Sequence, residues 1–511
     1  MTPAAVFHAA WIEEAISIRK NTETTMTTWK PTREQSQFIK RYAEVLGSGD
    51  AALFAGARLS RAAGYVDWRA LLKEIAIDLD PDIDRESDLV ALAQYHLNEK
   101  RTRWRLNQAI VDKLAGSAIV TKAHRILARL PISTVWTTNY DQLLERSFED
   151  AGKVVDLKLT QENLARTQRW RDVALYKMHG CVTQPHEAVL TKDDYERYEM
   201  TRPLFVESLK GDLIARSFLF LGFSFADPNI DYILSRVRVL LGANAREHFC
   251  VMRKPQRPNG ADARQAEYEY EQRKTELRHA DLLRFGIETV WVDEFDHIEP
   301  LLDALSSFIH RKSVFVSGAA HDPAPLGRDR LDGLARGIGM RLIGEGYNLV
   351  SGFGLGPGEQ CVIGALRALY GIPKGDDLER LVVRPFPRVE PASQQIQNTH
   401  HREDLIARSG ALVVLAGNRR QADADGVEAS PGVLEEVDIA LRAGKRVIPI
   451  GATGHAARKI WERAKTEPER YQPGIEAGEE LTTLGDANAT NEALTNALFT
   501  LLAKAEENVR L

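Results

Sequence analysis

Ile132-Ser-Thr-Val-Trp136 runs directly into Thr137-Thr-Asn139-Tyr-Asp141, and a second apolar run, Val173-Ala-Leu-Tyr-Lys-Met178, ends at His179-Gly180. Both runs are short, rich in branched and aromatic residues, and finish in polar ones. That is the pattern of buried parallel strands delivering side chains to the carboxyl edge of one sheet, where ligand crevices of open α/β sheets lie. Asn139, Asp141 and His179 are therefore expected neighbours. An amide can orient a hydroxyl or a water, and a neutral imidazole suits general-base work near neutral pH. Taken singly, each residue also has a local job open to it: Asn139 as a helix N-cap, Asp141 as a first-turn partner of the helix dipole, His179 as a turn residue. The combination points to a site.

The flanking chain repeats the pattern. Phe38, Ile39, Tyr42, Ala43 and Leu46 share one helix face, and Ala51-Ala-Leu-Phe-Ala55 follows as a strand that runs into Gly56-Ala57-Arg-Leu-Ser60. A strand ending in a glycine turn that opens a helix lets backbone N–H groups approach a pyrophosphate; a plain tight turn between sheet and helix is the other reading. Residues 68–130 read as an all-helical insertion. A third apolar run, Ser217-Phe-Leu-Phe-Leu221, stops at Gly222-Phe-Ser224, with Pro228 suited to the first turn of the next helix. Strand-like runs at 249–252 and 287–292 flank a charged helix over 261–283, and a helix over 298–309 closes this half. Strands alternating with helices predict one large, mostly parallel α/β domain over 34–310.

At Lys312 the pattern restarts with Ser313-Val-Phe-Val-Ser-Gly318. A helix over 331–343 leads to Tyr347-Asn-Leu-Val-Ser351-Gly352-Phe-Gly354, and a further helix is expected over 361–370. Strands follow at 380–384, 411–415 and 446–450, and a terminal helix at 494–505. Between them lie Thr399-His-His-Arg402-Glu, Gly417-Asn-Arg419 and the helix entry Ser430-Pro-Gly432-Val-Leu-Glu435-Glu436. This predicts a second doubly wound domain over 311–511. Arg402 and Arg419 would offer cations to a diphosphate, Glu435 and Glu436 carboxylates to ribose hydroxyls, and Gly318 and Gly352 the close strand-end approach. Pairing of the two arginines with surface acids is the alternative. Residues 1–33 read as an N-terminal extension, with 1–25, ahead of Met26, either a loose arm or residues foreign to the native protein.

A chain of 511 residues with 44% hydrophobic content can form about two to four domains with real cores. A formal net charge of -5 and a pI near 6.3 argue against a general nucleic-acid binder or a binder of anionic membranes. Cys181, Cys250 and Cys361 are widely spaced and form no Cys-x-x-Cys pair. A disulfide framework and a four-cysteine zinc ribbon are excluded, and a reducing, cytoplasmic setting without a metal is expected. No stretch is long and apolar enough to span a bilayer, and Glu13 and Glu14 interrupt the first apolar stretch, unlike a secretory signal.

Gly56-Ala57-x-x-Ser60, Asn139-x-Asp141, His179-Gly180 and Gly222-x-Ser224, in this order, resemble the motif set of the sirtuin family. The resemblance implies a Rossmann-type fold that takes NAD as substrate. Gly56, Ala57, Ser60, Thr138, Gly222 and Ser224 would then hold the dinucleotide, Asn139 and Asp141 would surround the nicotinamide ribose, and His179 would be the base. Three departures stand out: Arg58 replaces a further glycine, Thr138 replaces the glutamine that precedes the asparagine in protein deacylases, and the zinc ribbon is missing. The second half resembles the SLOG family, with Ser430-Pro-Gly432-Val-Leu-Glu435-Glu436 standing for that family's Pro-Gly-Gly-x-Gly-Thr-x-x-Glu less one glycine and the threonine, which favours binding over turnover. A sirtuin-like domain followed by SLOG is the order found in effectors of the bacterial Thoeris anti-phage system. That likeness implies an NAD hydrolase switched on by a cyclic ADP-ribose isomer from a TIR-domain partner; self-assembly into a homo-oligomer, a tetramer or larger, is the expected way to couple the two domains. A protein deacylase and a non-catalytic nucleotide-binding module are the readings from other classes.

Overall fold

The computed structural model describes residues 29–508 apart from 66–67, 81–82, 85, 87, 115, 117, 226, 243–245, 258–264, 372–376, 387–390 and 422–425. The expectations for residues 1–25 lie outside this range. Seven strands build the first sheet: β1 (Ala51–Ala55), β2 (Thr134–Thr137), β3 (Val155–Lys158), β4 (Val173–Lys177), β5 (Ser217–Leu221), β6 (His248–Arg253) and β7 (Ile287–Val292). All pairings are parallel, in the order β3-β4-β2-β1-β5-β6-β7.

The sequence explains why these strands lie in the middle of the molecule. Every residue of β1, β2 and β5 is buried, and the period-2 alternation feeds two cores at once. Leu53, Val135, Leu175 and Leu219 pack with Phe38, Ile39 and Leu301 on one face. Phe54, Trp136, Phe218 and Phe220 pack with Phe205, Leu209 and Ile233 on the other. The helical insertion, expected over 68–130, has its own cluster around Leu72, Leu92 and Ile110, which reaches Tyr140 and Leu143 beside the sheet. On the charged helix, Gln265–Leu283, only Leu282 is buried.

Strand β3 is an addition to the sequence reading. It lies at the edge beyond β4, with alternate residues half-buried, and its inward Asp156 is held by Lys158 (2.9 Å) and Arg171 (2.8 Å). A polar strand of four residues gives no apolar run to detect.

From β1 the chain crosses to β2 on one side and later returns to β5 on the other. The crevice at the carboxyl ends of β1 and β5 is thus the topological switch point of the sheet.

The last core residue of the first sheet's inner layer is Leu305, with Ile309 packed against it, and the second core begins at Val314. Here β8 (Ser313–Ala320), β9 (Asn348–Ser351), β10 (Leu381–Val383), β11 (Ala411–Arg420), β12 (Val427–Ala429) and β13 (Arg446–Ile450) form the second sheet. Its parallel part runs β10-β9-β8-β11, with β13 along Ala411–Leu415 of β11. Two features differ from expectation. β11 continues five residues past Leu415 and turns back as an antiparallel hairpin with β12. Thr399–Glu403 lies within a helix, Pro391–Ala407, rather than a free segment.

Candidate functional site

Thr137 of β2 and Lys177 of β4 are paired in register, so Thr138-Asn139 and Met178-His179 leave adjacent strands at one level. On the other side of β1, the Gly56 and Gly222 turns meet backbone to backbone. Arg58 N–H donates to Gly222 O at 3.1 Å and Gly56 N–H to Leu221 O at 2.8 Å. A Cβ on Gly222, whose φ is +67°, would lie 2.5 Å from Leu59 N, and one on Gly56 would lie 2.5 Å from Gly222 O. No side chain fits at either position, which explains both glycines.

Asn139 is buried and engaged. Its backbone N–H donates to Thr137 Oγ1 (3.0 Å), and its Nδ2 donates to Gly56 O (3.1 Å) and Ser60 Oγ (2.8 Å). Its Oδ1 is buried without a hydrogen-bond partner. The amide therefore ties the strand β2 exit to the glycine turn after β1. Asp141 is buried, and its Oδ1 accepts from Leu143 N–H at 2.9 Å, the expected job at a helix entry. Beneath it Lys177, fully buried, donates to Asp141 O and to Glu145 Oε1 (2.7 Å).

His179 is 2% exposed and lies edge-on to the rings of Tyr195 and Tyr198. Its Nε2 lies 3.3 Å from Asp227 Oδ2, within ion-pair reach though not aligned as a hydrogen bond. Burial pulls its pKa below the ordinary value; the Asp227 carboxylate pulls it up and the Arg202 guanidinium pulls it down, leaving the net shift downward. The ring is therefore neutral at pH 7 and able to accept a proton. Asp227 also caps the helix Pro228–Leu241, its Oδ1 accepting from Asn229 N–H (3.0 Å) and Ile230 N–H (3.2 Å). Sequence reasoning missed Asp227 as a site residue. Its signal, an Asp-Pro pair three residues past Ser224, reads first as an ordinary helix start.

The cavities divide these residues. A cleft of about 720 Å³ is lined by His179, Asp227, Tyr195, Thr138, Ala57, Arg58, Trp68, Gly222 and Ser224, among others. Asn139, Asp141 and Ser60 line an adjoining chamber of about 40 Å³ together with Tyr65. Ala57, Trp68 and Thr138 line both. The expected convergence of the amide and the imidazole over one ligand is thus only partly met: they occupy neighbouring compartments with a shared wall.

In the second sheet, Arg402 Nη1 lies 2.9 Å from Glu435 Oε2, its Nε lies 3.6 Å from Glu436 Oε1, and its guanidinium stands over the Phe386 ring at 4.9 Å. Thr399 Oγ1 donates to Glu435, and Ser317 Oγ, one residue before Gly318, donates to Glu436. Burial pushes the Glu436 carboxyl up to about 7, against the opposing pull of Ser317 and Arg402. Phe386 also closes over Gly352. Arg419 is not part of this cluster: it projects from the β11–β12 hairpin, its side chain 60% exposed, and pairs with Glu428 at 2.7 Å. The alternative of a surface ion pair describes Arg419, and the hairpin that causes it left no apolar signature. Among the described residues no group of three or more His, Cys, Asp or Glu side chains is placed to hold a metal, and no helix is long and apolar enough to cross a membrane.

Residues 133–277 match the SIR2-like domain family, and residues 297–505 match the Sir2- and TIR-associating SLOG family. Fold and matches together define a two-domain α/β protein, a SIR2-like domain followed by a SLOG domain. A protein named NAD(+) hydrolase ThsA from Bacillus cereus (strain MSX-D12) is 41% identical over 459 residues, 90% of this chain and 94% of its own. Proteins of that name from Acinetobacter baumannii (strain 532279) and Cytobacillus dafuensis are 38% and 37% identical, covering 86% and 92% of this chain and 92% and 96% of theirs. The chain belongs to the ThsA family.

Proposed function

We propose that residues 34–310 hydrolyse NAD at the nicotinamide–ribose bond, releasing nicotinamide and ADP-ribose, and that residues 311–511 sense a cyclic ADP-ribose isomer made by a TIR-domain partner during anti-phage defence. The observation that carries the first half is the pair of buried His179 and part-buried Asp227 opening into the cleft beside the Gly222-Phe-Ser224 turn. The turn suits a pyrophosphate, and a neutral imidazole beside a carboxylate suits removal of a proton from water attacking an electron-poor ribose carbon. Asn139 would orient that water and a ribose hydroxyl once the wall shared by the two compartments shifts, and Asp141 would face the positive charge developing on the ribose. Incubating the purified protein with NAD, with and without cyclic ADP-ribose isomers, and detecting nicotinamide and ADP-ribose tests this directly. No NAD loss under any isomer would overturn it, and turnover of an acyl-lysine peptide would support the deacylase reading instead.

Because burial lowers the His179 pKa, the acid limb of the NAD-hydrolysis profile is expected below pH 6.5. Asp227 opposes that shift, so Asp227→Asn should move the limb further toward acid while reducing the maximal rate. A limb that stays in place in the variant would separate Asp227 from His179.

Control would come from tighter binding of the signal to an active state, typically by about 1 to 3 kcal/mol. Helix Pro391–Ala407 is suited to carry it: Arg402 faces Glu435, while Asp404, two residues on, lies 3.9 Å from Arg129 of the first domain. Arg402→Ala is expected to raise the half-activating signal concentration by about tenfold or more with basal NAD turnover unaltered. Activation at the wild-type concentration would exclude Arg402 from the sensor. Self-assembly into a homo-oligomer of four or more subunits would make the switch steep.

A further inference from the structure

The cleft beside His179 continues past the Gly222 turn. Arg58, Gly222, Phe223 and Ser224 also line a second cavity of about 380 Å³, whose far wall is made by the end of β6, by Arg278 and by Phe295. Three guanidiniums gather there. Arg58 and Arg253 stand 5.8 and 4.8 Å from the Phe295 ring centre. Burial first, and then the charges of Arg278, Arg253 and Arg61, hold the Arg58 pKa below its ordinary value. The nearby carboxylates offset this charge only in part: Glu294 is 3.8 Å from Arg253, Asp296 and Glu299 lie on the wall, and Glu299 also reaches Lys122 at 3.2 Å.

Gathering like charges around a cavity costs free energy that a polyvalent anion would recover. In a dinucleotide crevice the pyrophosphate sits at the switch-point turn, and a nearby side chain reads the adenosine ribose. An acid there accepts the 2′-hydroxyl; an arginine accommodates a 2′-phosphate. Strand β6 lies next to β5, whose turn is Gly222-Phe-Ser224, and β6 ends in Arg253.

We infer that this cavity is an adenosine-end subsite that accepts a 2′-phosphate, so that the substrates include NADP as well as NAD. This rests on the NAD-hydrolase reading above and adds a substrate class to it. The chemistry is unchanged by the added phosphate. Water oxygen bonds to C1′ of the nicotinamide ribose as the C–N bond breaks, nicotinamide leaves with the electron pair, and the water proton passes through His179 to solvent. The products are nicotinamide and 2′-phospho-ADP-ribose.

Calorimetric titration of the full-length protein with ADP-ribose and with 2′-phospho-ADP-ribose reads the subsite without turnover. The phosphorylated ligand is expected to bind at least as tightly as ADP-ribose. Arg253→Ala and Arg278→Ala should each lower the ratio of the two affinities by about tenfold, and Arg253→Lys should restore part of it. In activated protein the NADP-to-NAD ratio of kcat/KM should fall in the same variants. A wild-type preference for ADP-ribose of tenfold or more, or variants that weaken both ligands equally, would overturn the inference. Absence of NAD consumption under every signal would instead sink the hydrolase reading, leaving the binding preference to be judged on its own.

Discussion

Alanine at His179 is expected to lower NAD consumption by the signal-activated protein by about 10²- to 10⁴-fold, the range typical of a lost general base. The fold should survive, because the imidazole Nε2 makes no aligned hydrogen bond and its neighbours Tyr195 and Tyr198 are anchored by their own elements; Tyr198 Oη, for instance, donates to Met178 O at 3.1 Å. Measured melting and signal binding should therefore stay close to wild type while nicotinamide release disappears. Asn139→Ala is a sharper companion experiment. Its amide now braces Gly56 O and Ser60 Oγ from a chamber next to the cleft, so a purely structural role would cost stability and leave turnover largely intact. Loss of turnover at preserved stability would show that the compartments merge around the substrate. Normal turnover in His179→Ala would remove the imidazole from the chemistry.

What the sequence made legible, and what it hid, follows from how each residue is held. β2 and β4 are buried at nearly every position and carry branched or aromatic residues at their centres because helices cover both faces, so the exits at Thr138-Asn139 and His179 could be located from pattern alone. The Gly56 and Gly222 turns were legible because two backbones approach too closely for any Cβ. Asp227 was hidden by doing two jobs at once: one oxygen caps a helix, as an Asp before proline ordinarily does, and the other faces His179 from a distant part of the chain. The separation of Asn139 from His179 by a shared wall was also hidden. Pattern fixes the level at which a strand ends, while the direction of a side chain past that end is set by tertiary hydrogen bonds. In the second domain Arg402 and the Glu435–Glu436 pair meet because helix Pro391–Ala407 packs against helix Pro431–Arg442, whereas Arg419 was carried off by a hairpin of mostly polar residues.

The largest expected effect on stability lies directly beneath the site. Lys177 and Glu145 form an ion pair at 2.7 Å with side-chain exposures of 1% and 8%, and Lys177 also donates to Asp141 O. Burial pulls the Lys177 pKa down, but Glu145, Cys181 and Asp141 pull it up by more, so the amine stays charged. A raised folded-state pKa means that this contribution is complete below the unfolded lysine value near 10.4 and fades only as pH climbs through the folded value. The amine's own contribution should therefore be unaltered at neutral pH, and strongly alkaline conditions should weaken it. Lys177→Met would strand the Glu145 carboxylate, whose Oε2 already has no hydrogen-bond partner, and should cost about 3–5 kcal/mol. Glu145→Met should cost a similar amount by stranding the amine. In the double Met variant no lone charge remains, so its loss should be smaller than either single loss, reduced to about 1–3 kcal/mol for the carbonyl left without a donor. Denaturant unfolding of the three variants decides the matter. If the losses simply add, the two groups are not coupled, and the strand exit that positions Asp141 is held by packing rather than by charge.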